Sequence, residues 1–312
     1  MRICSLLPSG TEILFALGLG DSVKGVTFEC DYPAEARTKP VVVRSKLASG
    51  LSPKEIDRTV KEFSARAESL YRLDIEKLQE IKPDLLITQD LCHVCAAAPG
   101  DLGAVLGLLS PTPSVLSLSP RTVADVWSDI ITVGEATGRA VAASELVSLL
   151  ERRITQVKHP RSSQPLRVLC LEWMEPPFVG GHWVPEMVGL AGGIDVLGRA
   201  GEPGYETDWQ TIAASDPDVI LVMPCGYHQT EVGAELRKFQ FPAEWHSLRA
   251  VRNGSVFAMD ASSYFSRPGP RIADGVLIIS ELFEQVSRKQ TKKSVSGVSL
   301  SLDRIPKADQ SR

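Results

Sequence analysis

The chain has 312 residues, 43% hydrophobic and 23% charged, with 34 basic against 38 acidic side chains and a net charge of −4. That is sequence enough for about two domains, with the balance of a globular protein and not of a disordered or fibrous one. The acid excess gives no electrostatic footprint for nucleic acid, and no run approaches the roughly eighteen apolar residues of a membrane span.

Arg2 leads within a few residues into Pro8-Ser9-Gly10-Thr11-Glu12, which leaves no room for a secretory signal. As written, the chain reads as cytoplasmic, or as periplasmic or extracellular once a leader has been removed. Ile3 to Leu7 is a short strand run broken by Pro8-Ser9, and a helical period follows at Ile13, Leu14 and Leu17 with Ser9 or Thr11 placed to cap it. Gly18-Leu19-Gly20 ends that helix before a strand over Val23 to Phe28. The β-α-β theme returns with the strand run Leu166 to Leu171 and a helix through Pro185 to Leu190. A second echo relates Ile75 to Ile87 with Trp209 to Leu221, each reading helix, Pro-Asp turn, buried strand. Two echoes in one order predict two similar α/β lobes.

A helical tract separates the echoes. Ser119-Pro120 supplies an N-cap and a first-turn proline, and Val123, Val126, Trp127, Ile130 and Ile131 fall on one face. Gly134 and Gly138 weaken the tract, and Arg139 to Val157 would run about 28 Å at 1.5 Å per residue, enough to bridge two lobes. The expected organisation is a lobe over 1–137, a single connecting helix over 138–158, a second lobe over 159–286 and a flexible tail over 287–312. The tail holds seven basic against two acidic residues, so the body carries −9. One helix as the crossing predicts small closure motions.

Ligands of open parallel sheets bind beyond the carboxyl ends of the strands. That rule selects Pro8, Ser9 and Tyr32 from the first lobe and Trp173, Phe178, His182, Trp183, Tyr227, Tyr264 and Arg267 from the second. Rings gathered there suit a large, flat, partly apolar ligand, although each could equally serve a core. Cys92-His93-Val94-Cys95 could hold zinc or iron or exchange as a dithiol. It is half a tetrahedral site, which Cys30, Cys225, His182 or His228 would have to complete. Cys4 and Cys170 occupy matching apolar strands and are expected in the core, whereas His159 and His246 are expected in solvent. No nucleophile elbow, phosphate loop or His-Glu-x-x-His helix is present, and a binding protein is expected, not an enzyme.

Leu6-Leu7-Pro8-Ser9-Gly10-Thr11-Glu12, Ala16-Leu17-Gly18-Leu19-Gly20-Asp21, Lys82-Pro83-Asp84-Leu85-Leu86-Ile87, Gly192-Gly193 and Arg267-Pro268-Gly269-Pro270-Arg271 together resemble the cobalamin-binding branch of the helical-backbone solute-binding proteins. That group also binds haem and ferric siderophores. The resemblance covers residues 1 to 286. It implies a bilobed protein with one spanning helix, a shallow cleft holding cobalamin or a related metal chelate, aromatic contacts from both lobes, and an ABC importer permease as partner. His182 is the candidate for a cobalt-facing group. The alternative is a cytosolic metal or redox protein using Cys92, His93 and Cys95.

Overall fold

A computed structural model describes residues 1–66, 68–89, 103, 105–157 and 164–295, with side chains as far as residue 288. In chain order the first half forms β1 (Ile3–Ser5), α1 (Pro8–Ala16), β2 (Val23–Thr27), β3 (Val41–Ser45), α2 (Pro53–Ala65), β4 (Tyr71–Leu73), α3 (Ile75–Ile81), β5 (Leu85–Gln89) and β6 (Ser114–Leu118). Its sheet runs β4-β3-β2-β1-β5-β6 and is parallel except for β4. Two helices follow, α4 (Val123–Ala136) and α5 (Ala140–Thr155).

The second half forms β7 (Leu166–Met174), β8 (Pro177–Val179), α6 (Val184–Leu190), β9 (Gly193–Asp195), β10 (Tyr205–Glu206), α7 (Trp209–Ser215), β11 (Val219–Val222), α8 (Gln229–Lys238), α9 (Ala243–Ser247), α10 (Arg249–Arg252), β12 (Val256–Ala258), α11 (Ala261–Tyr264) and α12 (Ile272–Val295). Its sheet runs β10-β8-β7-β11-β12, with β9 added beside β7. The pairs β7–β11 and β11–β12 are parallel, while β8 and β10 are antiparallel additions.

The two echoes become two matching pieces of structure. Strands β1 and β7 carry Cys4 and Cys170, both fully buried. Each is followed across its sheet by a Pro-Asp strand, β5 beside β1 and β11 beside β7. Helices α3 and α7 end on left-handed residues, Lys82 at φ 49° and Asp216 at φ 40°, directly before the proline. The following aspartates clamp the neighbouring strand in the same way. Asp84 accepts from the Arg2 amide at 2.6 Å and Asp218 from the Arg167 amide at 3.1 Å, while each returns its own N–H to the same arginine's carbonyl at 2.8 Å.

Local chemistry moved several helix starts. Helix α1 begins at Pro8, which needs no N–H partner in the first turn. Ser9 and Thr11 therefore sit inside the helix instead of capping it. Helix α4 is capped by Thr122, not by Ser119, because Thr122 and Asp125 form a reciprocal capping box. Gly138, at φ 71°, turns the chain between α4 and α5. A side chain at Gly134 would come within 2.4 Å of the Ala143 Cβ, so that glycine permits the close packing of the two helices. Helix α12 carries the chain helically to Val295, eight residues beyond the expected start of the tail at 287. Phe283 and Val286 anchor it in the core, and an Arg288–Glu284 pair at 2.8 Å follows on its surface.

One apolar cluster joins the halves. It runs from Ile3, Ile13 and Leu14 through Val126, Ile130, Leu150 and Ile154 to Met187, Ile279 and Phe283. Separate clusters fill the far sides of the two sheets. The continuous layer fixes the lobes with their strand ends turned toward one cleft.

Candidate functional site

Charged groups from both lobes meet on the floor of the cleft. Glu12 interrupts the apolar run of α1, and such a carboxylate is buried at a cost unless it is paired. Arg271, in the turn leading to α12, meets it with a two-pronged fork, Nε to Oε2 at 2.8 Å and Nη2 to Oε1 at 2.6 Å. Arg267 donates to Asp31 and, at 2.9 Å, to the Glu29 carbonyl. His228 bridges the lobes too, with Nε2 3.2 Å from Asp31 and Nδ1 3.1 Å from Asp260. Burial works against ionisation of Asp31, but the hydrogen bond and charge of Arg267, helped by His228, hold it below the usual carboxylate range. Burial pushes Glu29 up.

The rings fall into two groups. Tyr32 and Tyr264 flank Arg271, whose guanidinium lies 4.2 Å and 5.7 Å from their ring centres. Trp173 and Tyr227 meet edge to face at 5.7 Å and form a notch with Met174 and Pro224, covered from the other lobe by Pro53. The Trp173 Nε1 is buried without a hydrogen-bond partner. Phe178 stands opposite Trp173 across the β7–β8 pair.

Other expected site residues have other surroundings. Trp183 is 5% exposed and donates Nε1 to the Phe265 carbonyl at 2.8 Å, so it is a core ring and not a cleft ring. His182 adopts φ 51°, donates its N–H to the Glu202 carbonyl at 2.6 Å and accepts from the Gly201 N–H at 2.9 Å. A side chain at the preceding Gly181 would lie 2.2 Å from the Gly204 amide, which explains how the two loops approach so closely. Burial, with Arg121 nearby, lowers the His182 pKa and favours a neutral ring. Pro8 opens α1 and Ser9 is buried against the turn at Gly269, so both support the floor.

Cys92, His93 and Cys95 lie outside the described residues, as does His159. Among the described residues no group of three His, Cys, Asp or Glu side chains could hold a metal ion. The groups expected to complete a metal site have other engagements. Cys30 is buried against the Thr11 hydroxyl at 3.1 Å, and burial pushes its thiol up to about 12. His228 faces two carboxylates. Among the described residues no helix is long and apolar enough to cross a membrane. Among the described residues, a hollow of about 300 Å³ beside Ser144, Glu145, Ser148 and Arg152 is lined by α5 alone.

Sequence reasoning missed Glu12, Asp260 and Pro53 as site groups. The signal for Glu12 was available, since a carboxylate between Thr11 and Ile13-Leu14 demands a cation. Its partner, 259 residues away, was visible only as part of the Arg267-to-Arg271 motif.

Residues 3–263 match the family model described as periplasmic binding protein. A vitamin B12-binding protein of Vibrio cholerae serotype O1 is 26% identical over 88% of this chain and 86% of its own. An uncharacterized ABC transporter substrate-binding lipoprotein of Bacillus subtilis is 23% identical over 90% and 79%. The periplasmic heme-binding protein of Roseiflexus sp. RS-1, in apo form, superimposes with a TM-score of 0.68 at 23% identity, covering 92% of this chain and 98% of that one.

Proposed function

Because the chain belongs to the periplasmic binding protein family, we propose that its cleft binds cobalamin or a closely related corrinoid, outside the cytoplasm, for delivery to an ABC importer permease. The observation that carries this reading is the convergence of Tyr32 from one lobe with Trp173, Tyr227 and Tyr264 from the other at facing strand ends. Large rings with one polar edge suit a flat chelate whose rim carries amides. The name of the Vibrio relative supports the ligand, and that of the Bacillus relative supports the importer.

The charge pattern favours a corrinoid over haem. Arg267 and Arg271 already have acceptors in Asp31, Glu29 and Glu12. Propionates would have to displace the Asp31 and Glu12 carboxylates and the Glu29 carbonyl, whereas an amide-fringed rim asks for no free cation. Within the same reading, the neutral ring of His182 is offered as the cobalt-facing group.

Parallel titrations with cyanocobalamin and haemin, followed by absorbance and calorimetry, test the proposal. Saturable one-to-one binding of cyanocobalamin is expected, weakened about tenfold or more by Trp173→Ala. Neither heat nor spectral change with cyanocobalamin would overturn it, and undiminished affinity in His182→Ala would remove that residue's role.

A further inference from the structure

Helix α2 belongs to the first lobe by sequence, yet it reaches across the cleft. Lys54 Nζ lies 3.4 Å from Glu175 and Lys61 Nζ lies 3.0 Å from Glu206, both acceptors on the second lobe. Pro53, in the first turn, closes over Trp173, Met174, Pro224 and Tyr227. The space left beneath it is about 10 Å³, room for about one water and far too little for any part of a macrocycle.

The helix is built to leave. None of its side chains is buried, and Ile56, Val60 and Phe63 form only a half-buried stripe. Its integrity comes from within: a Ser52–Glu55 capping box and an Asp57–Lys61 pair at 3.1 Å. Its ties across the cleft are exposed ion pairs, which are weak and screened by salt. The proline ring also offers nothing to Trp173 Nε1, which stays buried and unpaired; a ligand with a carbonyl rim could accept that hydrogen bond.

We infer that α2 is a lid over the cleft, with Pro53 seated in the Trp173–Tyr227 notch, and that a ligand is admitted when α2 swings away as a unit and Lys54 and Lys61 release Glu175 and Glu206. This rests on the binding reading above, and two measurements separate their failures. In Glu175→Lys/Glu206→Lys both attractions become repulsions while the Asp57–Lys61 pair inside α2 is kept, and adding Lys54→Glu restores the first of them with reversed sign. Amide hydrogen exchange over residues 53–65 is expected to quicken about tenfold in the double variant and to fall back part of the way to the wild-type rate in the triple variant. Stopped-flow association of cyanocobalamin is expected to follow the same order, at least about threefold faster in the double variant. Unchanged exchange over 53–65 would overturn the lid, and faster exchange with unchanged association would overturn its control of access. Absence of cyanocobalamin binding in every variant, wild type included, would overturn the binding reading, while exchange would still decide the lid.

Discussion

Replacing Arg271 by Met tests the ionic floor most directly. The side chains of Glu12 and Arg271 are 3% and 12% exposed, and they share two hydrogen bonds of 2.6 and 2.8 Å. With Arg271 gone, Glu12 keeps only the more distant Arg267 at 3.7 Å. Leaving one member of a buried pair uncompensated costs about 3–5 kcal/mol, and the lost stacking on Tyr32 adds about 0.5–1 kcal/mol. Glu12→Leu should cost a similar amount by stranding Arg271. The double variant Glu12→Leu/Arg271→Met removes both charges at nearly constant volume, so it should lie within about 1 kcal/mol of wild type. Urea unfolding at pH 7.5 measures all three, with the denaturant slope unchanged. The Arg271→Met deficit should also grow with pH. Burial already raises the Glu12 pKa with the fork in place, and losing the fork raises it further, so the stability Glu12 lends is present at low pH and more of it is lost as pH rises. A single substitution costing under about 1 kcal/mol, or a double variant as damaged as the two singles summed, would refute the reasoning.

Trp183→Phe should lower stability by about 1–3 kcal/mol, because the Phe265 carbonyl loses its buried donor, while cyanocobalamin affinity stays the same; parallel melting and titration check both halves. Burial, with Cys225 and Asp195 close by, pushes the Glu172 carboxyl up to about 8. Its folded-state pKa is therefore raised, and the stability it lends, full below the unfolded value, declines until pH passes about 8. Glu172→Gln should accordingly gain on wild type in melting temperature between pH 5 and pH 9. Lys82→Gly should stabilise the chain by up to about 1 kcal/mol by relieving the left-handed residue before Pro83, and Lys82→Ala should not; denaturant midpoints distinguish the two.

What could be read along the chain was whatever local physics repeats. Period and punctuation marked β1 with α1, β7 with α6, and the two helix–Pro-Asp–strand units, because a buried strand and the turn before it carry their signals within a dozen residues. Cys4 and Cys170 were assigned to the core for the same reason. Capping was less legible: Ser119 before Pro120 reads as the cap, and only the reciprocal bond of Thr122 with Asp125, reinforced by Glu186 from the second lobe accepting from the Val123 amide at 2.7 Å, moves it to Thr122. The cleft needed tertiary structure most. Trp173 and Trp183 are indistinguishable as indoles near strand ends, yet one lies edge-on to Tyr227 under Pro53 and the other points into the core toward Phe265. Glu12 announced its need for a cation but not which of 34 would answer. Partners 259 residues apart, and a helix that reaches from one lobe to the other, are decided by how the sheets face each other, and no local pattern encodes that distance.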